Sequence, residues 1–517
     1  MVDVIEMPPT RWGDPAAAAP LSDERRALIE AVFGVDERPA RADVAVPAPS
    51  IATEVLDALR TSIGADRVVL DDDVRRIRTR GKSTPDLLRQ RDGDLSDAPD
   101  AVVRPRTHEE VASVLAWAVE HRIAVVPFGG GTSVVGGLIA RREGFAGVIS
   151  LDLIAMQRLV SVDHVSMTAT LEPGLRGPAA EALLAAEGVT LGHFPQSFEF
   201  GSIGGFAATR SSGQSSAGYG RFDQMVVGVR VATPAGEWRL GSSPFNAAGP
   251  DLRQVVLGSE GAFGVITEVT VRVRPVPAEK IYTGWRMPSW EAGSAAMRHL
   301  VQRGIQPTVL RLSDETETAL FFSGSEPGSC QMIVGYEGEP ALVDSRRTIV
   351  EQALTELGGS PLGEEPGQHW AEGRYAAPYQ RDAMLDLGVL VETLETATFW
   401  SNMPNLYGAV RAALAEALPG SLVLCHISHV YETGCSLYFT VVTKAAEDSL
   451  GQWLQAKKAA CDAIASVHAS ITHHHAVGTD HQPWLVNEIG DLGVDVLKAV
   501  KAVTDPAGIL NPGVLIR

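Results

Sequence analysis

The sequence predicts an α+β fold with more than one domain, and three observations support this prediction. The chain has 517 residues, 45% of them hydrophobic, which gives room for two to four domains with sizeable cores. Apolar residues recur at helical spacing over residues 107–121 and lead into an apolar run at 123–126, which is typical of a helix followed by a buried strand. Residues 265–273 alternate in polarity, as a half-buried strand does.

Charge and cysteine content exclude several classes of protein. The chain has 44 Lys and Arg against 63 Asp and Glu, a formal net charge of −19, so we expect no nucleic-acid partner. The four cysteines show no C-x-x-C spacing, so neither a disulfide framework nor a zinc ribbon is expected. No apolar window reaches the ~20 residues of a membrane span, and no signal-peptide pattern is present. We therefore expect a cytoplasmic location.

The elements before residue 278 form a first α+β block. The first ~50 residues are rich in Ala, Pro, Asp and Arg, which predicts a weakly ordered lead-in, with order beginning near Ile51. Residues 127–133 must form a loop, because three adjacent glycines cannot hold a regular element. Pro275 and Pro277 mark a domain boundary, since proline cannot donate to a sheet ladder. The strands are predicted at 123–126, 147–151, 167–171, 226–233 and 265–273.

A second α+β block follows this boundary. Its strands are predicted at 308–312, 331–336, 422–426 and 436–442, and its helices at 342–357, 407–417, 447–467 and 494–503. The predicted domains are an N-terminal, partly flexible and helical segment (1–97), a first domain (98–278), a second domain (279–445) and a C-terminal helical segment (446–517). The tail at 505–513 has turn chemistry and is expected to return to the first domain.

Four glycine-bearing segments lie in the first domain. Glycine has no Cβ, so such segments can bring backbone N–H groups close to a ligand. The segment at 129–133 follows a strand and can form an anion-binding nest. It matches neither G-x-G-x-x-G nor the Walker A motif, and 134–138 lacks helix character, so a Rossmann site is disfavoured. Taken alone, the segment could equally be a tight surface turn.

The four segments occur in a characteristic order. PFGGGTS, QSFEFGSIGG, TRSSG and GSEGAFGVITE follow one another along the chain, and this order resembles the FAD-binding domain of the vanillyl-alcohol-oxidase superfamily. The resemblance implies a two-subdomain FAD-binding domain at 98–278 and an α+β cap domain with an antiparallel sheet at 279–445. It also implies noncovalent FAD, because Phe128 and Thr132 stand where covalent relatives carry a histidine.

The resemblance assigns FAD binding to residues of all four segments. They are Pro127, Phe128, Gly129, Gly130, Gly131, Thr132, Ser133, Gln196, Ser197, Phe198, Glu199, Phe200, Gly201, Ser202, Thr209, Arg210, Ser211, Ser212, Glu260, Gly261, Ala262, Phe263, Gly264, Val265 and Ile266. Arg210, set between Thr209 and Ser211, is expected to pair with a phosphate rather than to be an ordinary surface cation.

Further stretches resemble one branch of the superfamily, the alkyldihydroxyacetonephosphate synthases. They are RWG at 11–13, GKSTPDLLRQR at 81–91, YETGCSLYF at 431–439 and HHHAVG at 473–478. The resemblance implies that acyl-dihydroxyacetone phosphate and a long-chain alcohol give alkyl-dihydroxyacetone phosphate and a fatty acid, through a flavin N5 adduct, in ether-lipid synthesis. The small-molecule lipid substrate further suggests peripheral membrane contact, and a homodimer is expected.

The same resemblance assigns the chemistry to a few side chains. Tyr438 would be the acid/base, assisted by His473, His474 and His475, because a tyrosine pKa near 10 needs a nearby cation or imidazole to lower it. Arg311 is assigned to catalysis and Arg381 to substrate binding, and both suit a phosphate. For Arg311, a solvated sheet face is the alternative.

The histidine run raises the question of a metal. Adjacent side chains diverge, so at most two of the three histidines are expected to converge on one ion, and no metal site is predicted. Glu392 and Glu395 are expected to act as scaffold or as charge partners.

Two alternative functions remain open at this stage. An FAD-dependent 2-hydroxyacid dehydrogenase or oxidase of the same superfamily would share the flavin motifs, but such relatives carry a fuller metal-ligand set, of which only His429 and one loop histidine could persist here. A noncatalytic flavin-binding protein is the other.

Overall fold

The computed structural model describes residues 4–18, 20–41, 44–322 and 324–517. The N-terminal region contains α1 (Asp23–Phe33), α2 (Thr53–Ile63), β1 (Val68–Val69), α3 (Asp72–Ile77) and α4 (Thr84–Arg91). The first domain continues with β2 (Ala101–Val103), α5 (His108–His121), β3 (Ile123–Phe128), β4 (Gly147–Asp152), β5 (Leu159–Asp163), β6 (Thr168–Leu171), α6 (Gly177–Ala186), β7 (Val189–Thr190), α7 (Ile203–Thr209), α8 (Ser216–Tyr219), α9 (Phe222–Met225), β8 (Val226–Thr233), β9 (Gly236–Leu240), α10 (Arg253–Val256), β10 (Val265–Arg272) and β11 (Arg274–Pro275).

The cap domain and the C-terminal region complete the chain. Their elements are β12 (Glu279–Met287), α11 (Trp290–Gln302), β13 (Val309–Ser313), α12 (Glu315–Phe321), β14 (Cys330–Gly338), α13 (Pro340–Glu356), β15 (Ser360–Gly363), α14 (Glu365–Gly373), α15 (Ala377–Asp386), β16 (Val389–Phe399), α16 (Met403–Ala417), β17 (Leu422–Ile427), β18 (Gly434–Lys444), α17 (Ser449–Ser466) and α18 (Leu485–Thr504), which is interrupted at Gly490. No helix in the described part of the chain is long and apolar enough to cross a membrane.

The first domain contains two larger sheets and a two-stranded antiparallel pairing of β7 with β11. One has the strand order β1-β2-β4-β3, with β4 parallel to both of its neighbours, and the other is antiparallel with the order β5-β6-β10-β8-β9. The predicted helix at 107–121 is α5, which Thr107 caps by accepting the Glu110 N–H, and which ends where Arg122 turns left-handed. Its buried Leu115 packs in the core of the first sheet, a burial that stabilises the fold by about 2 kcal/mol. The helix thus fixes β3, whose end leads into the first glycine loop.

The cap domain is built on one antiparallel sheet of seven strands, ordered β15-β12-β14-β13-β17-β18-β16. Leu312 and Leu437 belong to the core cluster on one face of this sheet. Arg311 and Tyr438, their neighbours in sequence, line a cavity on the other side, as strand alternation predicts. The predicted α+β class, with a two-sheet FAD-binding domain and an antiparallel cap sheet, is confirmed.

Three strands of this sheet, β12, β15 and β16, were not predicted. β12 begins four residues after Pro275, and β16 carries Glu392, Thr393 and Glu395 in its central part. These polar residues hide the usual apolar signature of a strand. Glu392 and Glu395 are buried despite their charge, because they bind groups of other segments.

The N-terminal segment is ordered from its first described residues, so the expectation that order begins near Ile51 is wrong. Trp12 is buried against Phe200, with ring centroids 5.8 Å apart. The Trp12 N–H donates to Asp382 of α15, and the Lys82 ammonium donates to two backbone carbonyls of the same segment. A few anchoring contacts thus order a stretch whose composition is typical of disorder.

Candidate active site

A cavity of about 780 Å³ lies between the glycine loops of the first domain and the cap sheet. Most of the predicted FAD-binding residues line it. They are Pro127, Phe128, Gly129, Gly130, Gly131, Thr132, Ser133, Gln196, Ser197, Gly201, Ser202, Thr209, Ser211, Ser212, Glu260, Gly261, Gly264, Val265 and Ile266. The four segments therefore meet around one space, as a shared ligand requires.

Five other predicted residues support the loops without lining the cavity. Phe198 stacks on Tyr375 at 5.5 Å, and Phe200 packs against Trp12. Ala262 and Phe263 are buried in a small core with the C-terminal residues. The remaining residue is Glu199, and burial raises the pKa of its carboxyl group.

Arg210 also lies outside the cavity lining, and its predicted role is corrected. Its guanidinium donates to the backbone carbonyls of Leu257 (2.9 Å) and Gln254 (2.8 Å). These carbonyls belong to the short helix α10 and its C-terminal end, where backbone acceptors lack intrahelical partners. The structure therefore gives Arg210 a local structural contact, and the predicted phosphate pairing is not supported.

The glycine loops fit a ligand with several polar groups, such as FAD. A Cβ on Gly130 would lie 2.1 Å from the carbonyl oxygen of Phe200, so only glycine lets these backbones approach so closely. Nε2 of Gln196, Oε1 of Gln214 and Nη2 of Arg381 are buried without a hydrogen-bond partner among the described residues, and all three side chains line the cavity. Buried polar atoms need partners, and a bound flavin nucleotide can supply them.

Arg381 of α15 is held so that one nitrogen stays available. Its Nε donates to Asp382 (3.0 Å) and its Nη1 to the carbonyl of Lys82 (2.8 Å), which leaves Nη2 at the cavity. Burial lowers the pKa of the nearby Lys82 to about 7. The predicted substrate residue is therefore in place, beside a second cation.

Arg311 lines the cavity too, but its charge is already paired. Its Nη2 lies 2.5 Å from Oε1 of Glu317 and 3.0 Å from Nδ1 of His426. The pKa of Glu317 falls to about 2, because the neighbouring His426 and Arg311 outweigh the effect of burial. An anionic substrate at Arg311 would therefore have to compete with Glu317.

Tyr438 of β18 reaches the cavity between histidines. Its ring stacks on His426 at 4.8 Å and lies 6.1 Å from the ring of His474, which is nearly parallel to it. Burial, together with the carboxylates of Glu392 and Glu395, raises the pKa of Tyr438 to about 12. The hydroxyl therefore keeps its proton at neutral pH.

A buried carboxylate from the cap sheet shapes the histidine loop. Glu395 accepts the backbone N–H groups of His473 (2.6 Å), His474 (3.2 Å) and His475 (2.8 Å), and the hydroxyl of Thr472. Burial raises the pKa of Glu395, but electrostatic attraction to His474, His475 and His473 and the hydrogen bond from Thr472 hold it far below its usual range. The three histidines of the loop therefore lie next to one fixed negative charge, that of Glu395.

Two of the three consecutive histidines, His473 and His474, converge with His429, which agrees with the expectation that at most two of the run do so. Nδ1 of His473 lies 2.9 Å from Nδ1 of His474. Nitrogen atoms of these two residues and of His429 lie within 4.8 Å of one another. The hydroxyl of Tyr431 is hydrogen-bonded to Nε2 of His473 (2.6 Å), and the hydroxyl of Ser216 is hydrogen-bonded to Nδ1 of His429 (2.7 Å). His473 and His474 are thus hydrogen-bonded to each other, and His429 stacks on His473 with ring centroids 4.9 Å apart.

The end of the cavity remote from the glycine loops is apolar. It is lined by Leu28, Val32 and Phe33 of α1, Leu320 and Phe321 of α12, and Met384, Leu422, Leu424 and Val442. Sequence analysis missed α1, because it lies in the segment taken as a weakly ordered lead-in. The helical spacing of Leu28, Val32 and Phe33 was a usable signal.

Sequence analysis also missed Glu317 and Arg221. Neither stands in a recognisable motif, and the fold alone brings them to the site. Glu317 meets Arg311 across a turn of α12, and Arg221 reaches the histidine cluster from the first domain. Tyr431 lies in the motif at 431–439, which assigned no role to it, although its hydroxyl contacts Nε2 of His473.

The fold and the cavity together define a flavin-dependent enzyme with an FAD-binding domain and a substrate-binding cap. Two family models agree with this class: an FAD binding domain matches residues 99–241, and the C-terminal domain of FAD linked oxidases matches residues 276–515. FAD is the cofactor.

Similar proteins define the family within this class. A Trypanosoma brucei brucei alkyldihydroxyacetonephosphate synthase is 34% identical over 91% of this chain and 82% of its own length. A Dictyostelium discoideum protein of the same name is 34% identical over 94% of this chain and 84% of its own length. A solved alkyldihydroxyacetonephosphate synthase structure superposes with a TM-score of 0.84 at 30% identity and covers 98% of both chains. The chain belongs to the alkyldihydroxyacetonephosphate synthase family.

Proposed function

We propose that the protein exchanges the acyl chain of acyl-dihydroxyacetone phosphate for a long-chain alcohol, which gives alkyl-dihydroxyacetone phosphate and a fatty acid for ether-lipid synthesis. The observation that carries this proposal is the continuity of the cavity. The glycine loops, the group of Tyr438, His474 and His475, and an apolar end all line the same space. A flavin, a polar headgroup and an alkyl chain can meet there. Family membership supports the same reaction.

FAD would be held by the four glycine segments without a covalent link. Gln196 and Gln214 offer unpaired polar atoms to it. When bound, the flavin supplies an electron-poor ring that can take up an electron pair from the substrate C1 and later return it, so that the exchange consumes no oxidant. The chain contributes position and charge.

The headgroup phosphate would bind first to Arg381. Its Nη2 lacks a partner among the described residues, whereas Arg311 is already paired with Glu317. An arginine with an available nitrogen at a buried site is a strong partner for a phosphate. Arg311 would join by exchanging Glu317 for the substrate.

Proton transfer at C1 would involve Tyr438 and the histidine loop. Tyr438, with a pKa of about 12, is a proton donor at rest. Burial lowers the pKa of His475 to about 3, so this imidazole is neutral at rest and is a weak base. The Glu395 carboxylate, 3.8 Å from Nδ1 of His475, would stabilise the cation formed on proton uptake.

The reaction can be tested directly with the purified holoenzyme. It is incubated with acyl-dihydroxyacetone phosphate and labelled hexadecanol, and in parallel with a panel of 2-hydroxyacids and an artificial electron acceptor. We expect label in the ether product without acceptor reduction. Acceptor reduction by a hydroxyacid, with no ether product, would contradict the proposal and favour the oxidoreductase alternative.

The long-chain alcohol would enter the cavity from a membrane surface. Leu28, Val32 and Phe321 stand at the apolar end of the cavity and are each about half exposed, at 53%, 51% and 52%. With a net charge of −19, contact would have to be apolar rather than electrostatic. Flotation with vesicles of uncharged phosphatidylcholine tests this contact. The homodimer and the cytoplasmic location stay predictions, to be checked by light scattering and by cell fractionation.

A further inference from the structure

A chain of hydrogen bonds leads from Tyr431 to the cavity. The guanidinium of Arg221 lies beside the hydroxyl of Tyr431 and favours its charged form. That hydroxyl lies 2.6 Å from Nε2 of His473, and Nδ1 of His473 lies 2.9 Å from Nδ1 of His474. His474 lines the cavity, whereas the other three side chains lie behind it. Three segments that are distant in sequence thus meet in one line of donors and acceptors.

The hydroxyl of Tyr431 sets the direction of this chain. Its one proton needs an acceptor, and among the described residues the acceptor within hydrogen-bond distance is Nε2 of His473. The neighbouring guanidinium of Arg221 has donors only and cannot take that proton. A neutral imidazole has one donor and one acceptor nitrogen. Nδ1 of His473 therefore carries the proton and donates to Nδ1 of His474. Nε2 of His474 is left as the nitrogen that carries a proton.

The surrounding charges agree with neutral imidazoles in this direction. Burial lowers the pKa of His473 and of His474, and Arg221 lowers both further. The opposite direction would need Nδ1–H of His474 to donate to Nδ1 of His473, and Nε2–H of His473 to donate to Tyr431. The proton of the Tyr431 hydroxyl would then have no acceptor among the hydrogen bonds of the described residues. Tyr438 lies parallel to His474, so its hydroxyl does not compete for Nε2 in the ring plane.

We propose that Tyr431 is a positioning residue, which together with Arg221 fixes the tautomer of His474 so that Nε2–H is offered to the cavity as a hydrogen-bond donor. Among the described residues, Nε2 of His474 has no bonding partner. The inference rests on the proposed function for its consequence: the donor would face the oxygen that gains negative charge as the fatty acid leaves as a carboxylate. No proton has to move for this stabilisation.

The tautomer can be measured without any turnover. Holoenzyme labelled with ¹⁵N-histidine and treated with a chelator is studied by NMR, and the His474 signals are identified by their absence in His474→Gln. We expect the Nε2–H pattern for His474 in the unmodified protein and a mixture of tautomers in Tyr431→Phe. An Nδ1–H pattern in the unmodified protein, or an unchanged pattern in Tyr431→Phe, would overturn the proposal.

Kinetics give a second readout. Tyr431→Phe is expected to lower kcat about tenfold, the equivalent of one hydrogen bond, with KM and the flavin absorbance unchanged. Tyr282→Phe is the matched control, because Tyr282 donates to Glu337 at 2.8 Å away from the cavity. If Tyr431→Phe does not fold, Arg221→Met is expected to release the tautomer, whereas Arg221→Lys keeps a donor and should preserve it. The reverse result for these two variants would contradict the proposal.

These tests separate the inference from the proposed function. If the unmodified protein makes no ether product, the proposed function fails, and the NMR result still decides the tautomer. If ether product forms and kcat is unchanged in Tyr431→Phe, the proposed function stands and the positioning role fails.

Discussion

The flavin loops present mainly backbone groups to the cavity, whereas the group of residues in the cap presents side chains. In the loops, the backbone itself approaches the ligand space, as at Gly130, where a side chain would collide with the carbonyl of Phe200. In the cap, side chains from separate segments line the cavity, namely those of Tyr438 of β18, Arg381 of α15 and the histidines after α17. A backbone site leaves a continuous motif in the sequence. A side-chain site leaves single residues, which gain meaning only from the fold.

The sharpest way to separate the two regions is to remove one oxygen from the cap. Tyr438→Phe should lower turnover about 10³-fold, the scale of a lost acid/base group, because it removes the hydroxyl of the ring that lies between His426 and His474. FAD should stay bound, because the loops do not use Tyr438. Labelled-alcohol turnover and the flavin absorbance of the purified variant measure the two effects.

A comparison variant guards this interpretation. Tyr407→Phe removes a hydroxyl of the same domain that donates to Asp314 at 3.0 Å, and it should keep both turnover and flavin. An active Tyr438→Phe would remove Tyr438 from the acid/base role. Loss of flavin in that variant would show that the two regions are not independent.

The same contrast explains which elements the sequence predicts. Strand β8 was predicted with its observed limits, 226–233, because its residues are apolar or β-branched except for Arg230. Strand β16 was missed, because Glu392 and Glu395 break its apolar pattern. Their burial becomes favourable only once Thr84 and the histidine loop supply donors. Long-range partners of this kind cannot be read from local sequence.

The site follows the same rule. The glycine segments could be placed around FAD from their order alone, and Tyr438 and Arg381 from their motifs. Glu317 and Arg221 could not, since each acts through a partner more than a hundred residues away, His426 for the first and Tyr431 for the second. A motif gives residue types and spacing, whereas the pairing of charges depends on tertiary contacts.

A second test weakens the cap while leaving all its cavity-lining side chains in place. Glu395→Gln keeps the shape of the side chain but removes the buried charge that the loop N–H groups bind. We expect a loss of about 2 kcal/mol in the free energy of unfolding at pH 7, because hydrogen bonds to a charged group are the stronger ones. Turnover should fall about tenfold as the histidines lose their fixed position. Urea unfolding and the labelled-alcohol assay measure these changes.

The pH dependence of this loss has a definite sign. The pKa of Glu395 is held far below its unfolded value of about 4.3, so its contribution to stability is present above that pH and is lost as the pH falls toward the folded pKa. The difference between the original protein and Glu395→Gln should therefore be largest near neutral pH and shrink below pH ~4. A difference that grows on acidification would contradict a charged Glu395.

The smallest effect is expected inside a flavin motif. Arg210 stands between two cavity-lining neighbours, Thr209 and Ser211, yet its guanidinium binds the carbonyls of Gln254 and Leu257. Arg210→Met should therefore cost about 1 kcal/mol of stability and leave the FAD dissociation constant unchanged, as measured by flavin fluorescence. A tenfold weaker FAD affinity would indicate that Arg210 binds a phosphate of FAD, as the sequence predicted. It would also show that a side chain contributes to the site formed by the backbone of the loops.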